Sequence, residues 1–192
     1  MNPEGWQILE SCTLFKNPHL EVLKETVVLP GETRRREWTV VRRKKAVVIA
    51  PMTEAGRFVL IHQCRIPVRK CLWEFPAGQV DQSFEPDHAL LRETAVRELE
   101  EETGYKLADA GTLIYLGHYY SSQGFSDETP YLFLAKPVVP TGGGHRPETN
   151  ESILESKTFS TAELSAMIAD SVIQDANTLA CFARLTAKSL LL

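Results

Sequence analysis

Six consecutive residues, Arg97-Glu98-Leu99-Glu100-Glu101-Glu102, place three carboxylates at helical spacing. Glu98, Glu101 and Glu102 stand at i, i+3 and i+4, so on a helix they share one face. Like charges at that spacing cost roughly 0.2–0.5 kcal/mol per pair. Gly104 reads as a C-terminal cap, so the acids also crowd the helix end where the dipole disfavours anions by about 0.3–1 kcal/mol each. A helix end that faced only water would be expected to carry Lys or Arg. A divalent cation reverses the sign of the argument, because converging carboxylates are hard oxygen ligands suited to Mg²⁺. The plain alternative is a solvated acidic face. The unfavourable helix end and the flanking Arg97 and Gly104 weigh against it.

The elements that must position these acids can be read next. Pro86 suits a first helical turn, where a missing N–H costs nothing, and Asp87 sits where the dipole favours an anion. Leu91, Ala95, Val96 and Leu99 recur at helical spacing and predict the buried stripe. Upstream, Ala46–Met52 (AVVIAPM) is a continuous apolar run that fits a strand buried on both faces. Arg57–Gln63 follows a Gly56 turn and predicts a hairpin with it. Further strands are expected at Leu20–Leu29, Glu37–Val41, Gly111–Tyr120, Tyr131–Ala135 and Ile153–Phe159. Ser160 or Thr161 then caps a helix, and Asp175–Leu190 forms the last one, with Leu179, Phe182, Ala183 and Leu185 or Ala187 as its core stripe.

The segment RELEEETGY resembles the second half of the Nudix box, with Arg97, Glu98, Leu99, Glu101, Glu102, Gly104 and Tyr105 in matching positions. The first box Glu falls on Ala89 and the opening Gly on Ser83, while the family-like Pro76-Ala77-Gly78 lies five residues earlier. A longer loop between Gly78 and the helix accounts for both departures, with Glu85 or Asp87 as replacements for the missing carboxylate. The pieces Gln63-Cys64-Arg65-Ile66-Pro67, Trp73–Gly78 and Gly124–Glu128 resemble the ADP-ribose and nucleoside-diphosphate-sugar pyrophosphatase branch. That branch usually has Pro where this chain has Gln123, a difference that bears on the substrate.

The resemblance implies a site. Glu98, Glu101, Glu102 and the Ala77 carbonyl would hold Mg²⁺, with Mn²⁺ as a substitute, and Arg97 would keep the box carboxylates in register. Arg65 and Glu74, with Ser122, Gly124, Asp127 and Glu128, would lie at the substrate; the guanidinium fork of Arg65 suits a diphosphate. Glu151 first and Glu148 second would act as general base. Both belong to PVVPTGGGHRPETN and its continuation, a stretch that reads as a flap over the site.

Composition bounds the rest. A chain of 192 residues with 43% hydrophobic content suits one principal domain and a smaller appendage. A net charge of −4 gives no broad basic footprint, so a nucleic-acid polymer is not an expected partner. The basic clusters Arg34–Arg36 and Arg42–Lys45 read as solvated strand residues or as a rim facing a phosphorylated ligand. No apolar stretch approaches the ~20 residues that span a bilayer, and MNPEGWQILESCT lacks the pattern of a secretory leader. The four cysteines, Cys12, Cys64, Cys71 and Cys181, lack CxxC spacing and read as reduced thiols of a cytoplasmic protein.

The expected architecture is therefore a small N-terminal β region over residues 1–45 and an α/β body over 46–192, the Nudix α/β/α sandwich with a mixed sheet. In the branch it resembles, the N-terminal domain is exchanged between subunits, which implies a homodimer. The implied reaction is Mg²⁺-assisted hydrolysis of the diphosphate bond of ADP-ribose or a related nucleotide sugar. GDP-mannose or another nucleoside-diphosphate sugar is the alternative substrate, and a Nudix-fold ligand-binding regulator without turnover is the alternative class.

Overall fold

The computed structural model describes residues 5–80, 85–144 and 152–191. They divide into two compact units. One runs to Lys44 and takes in Tyr120–Thr129; the other holds Lys45–Tyr119 and the chain from Pro130 onward.

The first unit is an antiparallel meander of β1 (Gln7–Lys16), β2 (Leu20–Val28) and β3 (Arg35–Arg43), in that order. Asn17 makes the first turn, its Oδ1 accepting from the N–H groups of His19 and Leu20, both at 2.9 Å. Gly31, at φ 75°, makes the second. Trp6, beside β1, and Ile8, Leu9, Leu14 and Phe15 within it are all exposed. The Tyr120–Thr129 loop docks on β3. Val41 N–H donates to Phe125 O at 2.7 Å, and Trp38 Nε1 donates to Gly124 O at 3.0 Å.

The second unit is built on a mixed seven-stranded sheet. Its elements are β4 (Ala46–Thr53), β5 (Phe58–Arg65), β6 (Lys70–Glu74), β7 (Ala77–Gln79), α1 (His88–Thr103), β8 (Tyr105–His118), β9 (Pro130–Pro140), β10 (Ile153–Phe159), α2 (Thr161–Ala169) and α3 (Ala176–Ala187). The order is β10-β5-β4-β9-β8, with β6 on β5 and β7 on β4. β4 pairs with β9 in parallel, and the other pairings are antiparallel.

The pleat of the central strands makes two cores. Val47, Ile49, Val59, Phe133 and Ala135 pack with Leu91, Ala95 and Leu99 of α1. Val48, Ala50, Leu60, Leu132 and Leu134 pack with Leu164 of α2 and Cys181 and Leu185 of α3. Each fully buried Val, Leu, Ile or Phe side chain contributes about 1.5–3 kcal/mol. This is the α/β/α layering the sequence predicts, with helices on both faces of a mixed sheet.

Several expectations are corrected. In α3 the buried face is Thr178, Cys181 and Leu185, while Leu179 is exposed. The face turns because Asp175 caps the helix and draws a polar residue inward. Thr178 Oγ1 donates to Asp175 Oδ2 at 2.8 Å and accepts the Phe75 N–H at 2.8 Å. Val96 is exposed, so the α1 stripe is Leu91, Ala95 and Leu99. Pro86 precedes the helix, and Asp87 is its N-cap, accepting from Leu90 N–H at 2.8 Å. Strand β9 runs on to Pro140, so part of the stretch read as flap is sheet. Cys64 and Cys71 are joined as a disulfide rather than reduced. They are direct partners across β5 and β6, a proximity that sequence spacing alone does not reveal.

Candidate active site

Helix α1 presents the acids from a well-anchored frame. Asp87 caps its start, and Gly104, left-handed at φ 71°, ends it with its N–H on Glu100 O. Glu98 is 5% exposed and Glu102 is 1% exposed, so two carboxylates are buried near the helix end where the dipole opposes them. Arg97 offsets part of that cost. Its Nη2 donates to Glu98 Oε1 at 2.6 Å and its Nη1 to Glu101 Oε2 at 2.7 Å.

The backbone of β7 lies against this face. Ala77 N–H donates to Glu102 Oε2 at 2.7 Å. A Cβ added to Gly78 would overlap the Glu98 carboxylate, so any larger residue there must displace it. β7 is held in place by β4, with Val47 opposite Gly78 and Val48 opposite Ala77. The Pro76-Ala77-Gly78 segment and the acidic helix face thus form one structure, although they are some twenty residues apart in the chain.

A second ion pair stands beside the first. Arg65 Nη2 donates to Glu74 Oε2 at 2.6 Å and Nε donates to both carboxylate oxygens, at 3.2 and 3.0 Å. Burial raises the Glu74 carboxyl above its ordinary range, with Arg65 pulling against that effect. Burial disfavours the Arg65 charge, but the hydrogen bonds and charge of Glu74, joined by the charges of Glu102 and Asp175, outweigh it and hold the guanidinium protonated. A cavity of about 450 Å³ lies along α1, lined by Arg97, Glu100, Glu101, Thr141, Gly143 and Gly144. Thr141 N–H is tied to Gly104 O at 2.8 Å, which fixes where the following loop leaves the sheet.

Arg65, Glu74, Ala77, Arg97, Glu98, Glu101 and Glu102 all belong to the α/β unit. Ser122, Gly124, Asp127 and Glu128 belong to the N-terminal unit, where Asp127 Oδ1 accepts the Arg43 N–H at 2.7 Å and Glu128 Oε1 lies 3.3 Å from Arg43 Nε. Glu148 and Glu151 lie outside the described residues. Among the described residues, no three His, Cys, Asp or Glu side chains are arranged to hold a metal ion. The donor chemistry nonetheless fits a hard divalent cation: three helix-borne carboxylates beside a backbone cradle too close for any Cβ.

The sequence reading missed a cavity of about 720 Å³ inside the N-terminal unit. Trp6, Arg36, Trp38, Gln123 and Gly124 are among its lining residues. Arg36, Trp38 and Val40 line it together, an alternation along β3 that was visible in the sequence as period two.

Comparison with known proteins now adds to the geometry. The NUDIX domain pattern matches residues 42–180. The chain is 35% identical over 126 residues to an ADP-ribose pyrophosphatase of Bacillus subtilis, a match covering 65% of this chain and 63% of that protein. It is 32% identical over 153 residues to an ADP-ribose pyrophosphatase of Mycobacterium tuberculosis, covering 78% of this chain and 67% of that one. The matched part thus spans under two thirds of the Bacillus subtilis relative's length. A solved ADP compounds hydrolase has the same fold, with a TM-score of 0.75 at 18% identity over 95% of this chain and 92% of that chain. Matched over most of its length, the chain belongs to the NUDIX domain family.

Proposed function

We propose that the protein is a hydrolase that cleaves the diphosphate bond of ADP-ribose, giving AMP and ribose 5-phosphate. The observation that carries this reading is the pair of buried carboxylates, Glu98 and Glu102, clamped between Arg97 and the Ala77-Gly78 backbone. Buried acids at an unfavourable helix end are costly for stability alone and suit a site that gathers positive charge. Two ADP-ribose pyrophosphatases among the relatives support the substrate class.

Glu98, Glu101, Glu102 and the Ala77 carbonyl would hold Mg²⁺, or Mn²⁺ in its place. When bound, the metal supplies neutralisation of the phosphates and a more acidic water. Arg97 fixes Glu98 and Glu101 in one orientation. Arg65, held on Glu74, would offer its guanidinium charge to the diphosphate. Glu151 first and Glu148 second would take the proton from the attacking water.

The cavity of the N-terminal unit supplies flat surfaces, the Trp6 and Trp38 indoles and the Arg36 guanidinium, on which a nucleobase stacks. Gln123, Gly124 and Asp127 line it too, which supports a part for that loop in base recognition. The exposed apolar side chains along β1 support a homodimer that covers them. The presence of Gln123 in that cavity favours a second reading, a different nucleotide sugar such as GDP-mannose.

The test is chromatography of nucleotide products after incubation with Mg²⁺ and ADP-ribose, GDP-mannose, UDP-glucose or ADP-glucose, beside a Glu102→Gln control. AMP from ADP-ribose, lost in the control, is the expected result. GMP from GDP-mannose alone would move the assignment to the second reading. No product from any of the four would remove the substrate assignment and favour a binding module.

A further inference from the structure

The hairpin β5–β6 carries a feature that hydrolysis does not use. Cys64 and Cys71 face each other across it and are joined, while Arg65 and Lys70, the next pair outward, lead into the turn. Cys71, Arg69 and Lys70 are exposed, and a cavity of about 330 Å³ opens over the bond, lined in part by Arg65, Arg69, Lys70 and Ser152. An exposed disulfide is the reducible kind, and neighbouring cations attract an anionic reductant.

What the bond restrains is close to the candidate site. Among the described strands β6 pairs with β5 alone, through five register pairs of which Cys64–Cys71 is also cross-linked. Arg65 follows Cys64 directly, and its hold on Glu74 spans the same two strands. Cys64 N–H also donates to Ser152 O at 3.0 Å, which ties the hairpin to the start of β10. Beyond Glu74, the chain continues through Phe75, fixed on Thr178, to Ala77 on Glu102.

We propose that the Cys64–Cys71 bond is a redox latch that holds Arg65 on Glu74, opened by an acidic low-molecular-weight thiol drawn to Arg65, Arg69 and Lys70. A reductant thiolate attacks the exposed Cys71 sulfur, forming a mixed disulfide and releasing Cys64 as thiolate. A second reductant thiol then displaces Cys71, leaving oxidised reductant and two reduced cysteines: two electrons and two protons enter the protein. The freed hairpin end loosens, and Arg65 loses its fixed direction. The kinetic consequence rests on the hydrolase reading above; the structural consequence does not.

The experiment compares oxidised protein, protein reduced with glutathione or dithiothreitol, and a Cys64→Ser/Cys71→Ser variant. Amide hydrogen exchange over residues 63–74 is followed by mass spectrometry, beside KM and kcat for ADP-ribose. Expected are at least fivefold faster exchange in this segment on reduction, the same fast exchange in the variant with either reductant or none, and a several-fold higher KM with kcat within twofold. Unchanged exchange on reduction, or an equal response of the variant to reductant, overturns the latch. If ADP-ribose is not turned over in any state, the hydrolase reading fails while the exchange comparison still decides the latch. Should the double variant not fold, Cys71→Ser alone takes its place in the same comparison.

Discussion

Gly78 and Glu74 show how single positions set the chemistry. Because a Cβ at Gly78 would overlap the Glu98 carboxylate, Gly78→Ala must push either β7 or the carboxylate away. Overpacking of this kind costs about 1–3 kcal/mol. Thermal denaturation should show that loss, and turnover should fall roughly tenfold or more as the acids move. Glu74 makes a prediction in pH. Its folded carboxyl is raised by burial above the ordinary 4.5, so the folded state binds a proton more tightly than the unfolded one. Its stabilising contribution is therefore complete below the unfolded value and is lost as pH rises through the folded one. Denaturant titrations of wild type and Glu74→Gln should show wild-type stability declining relative to the variant from about pH 4.5 upward. A difference that does not change with pH would contradict this assignment of the buried charge.

At the level of elements, α1 was legible in the sequence because its signals are local. The acids, the Asp87 cap, the Gly104 terminator and the apolar spacing all lie within one stretch. What the sequence hid is contact between stretches. The α3 stripe was misread because Thr178 is buried to serve Phe75, a partner 103 positions away. Thr178→Val would strip Phe75 N–H of its acceptor and lower stability by ~1–3 kcal/mol. Calorimetry would measure it, and a silent substitution would mean the bond is replaced by water. The disulfide was hidden for the same reason, since Cys64 and Cys71 meet only when the β5–β6 register is known. The Trp6 and Trp38 cavity required knowing that the Gln123–Asp127 loop returns to β3.

Over the whole molecule, thiol chemistry separates the cysteines. Cys12 is exposed, whereas Cys181 is fully buried and its thiol is pushed far up by burial. Iodoacetamide at neutral pH should therefore modify Cys12 alone in the folded, oxidised protein, and reach Cys181 only in denaturant. Mass spectrometry of peptides reads this directly. Labelling of Cys181 under native conditions would show that α3 opens or packs differently.

The parallel pairing of β4 with β9 has a consequence for how the chain is made. Ala46 lies opposite Pro130 and Ala50 opposite Leu134, so the strand that supports β7 has no neighbour on that flank until most of the protein has left the ribosome. The acidic helix and the Pro76-Ala77-Gly78 segment emerge earlier, yet the strand that sets their spacing is still half-bare. Assembly of the site is therefore expected late in synthesis, and the nascent chain carries Val48 and Ala50, whose partners include Leu164, Cys181 and Leu185, without that cover until then.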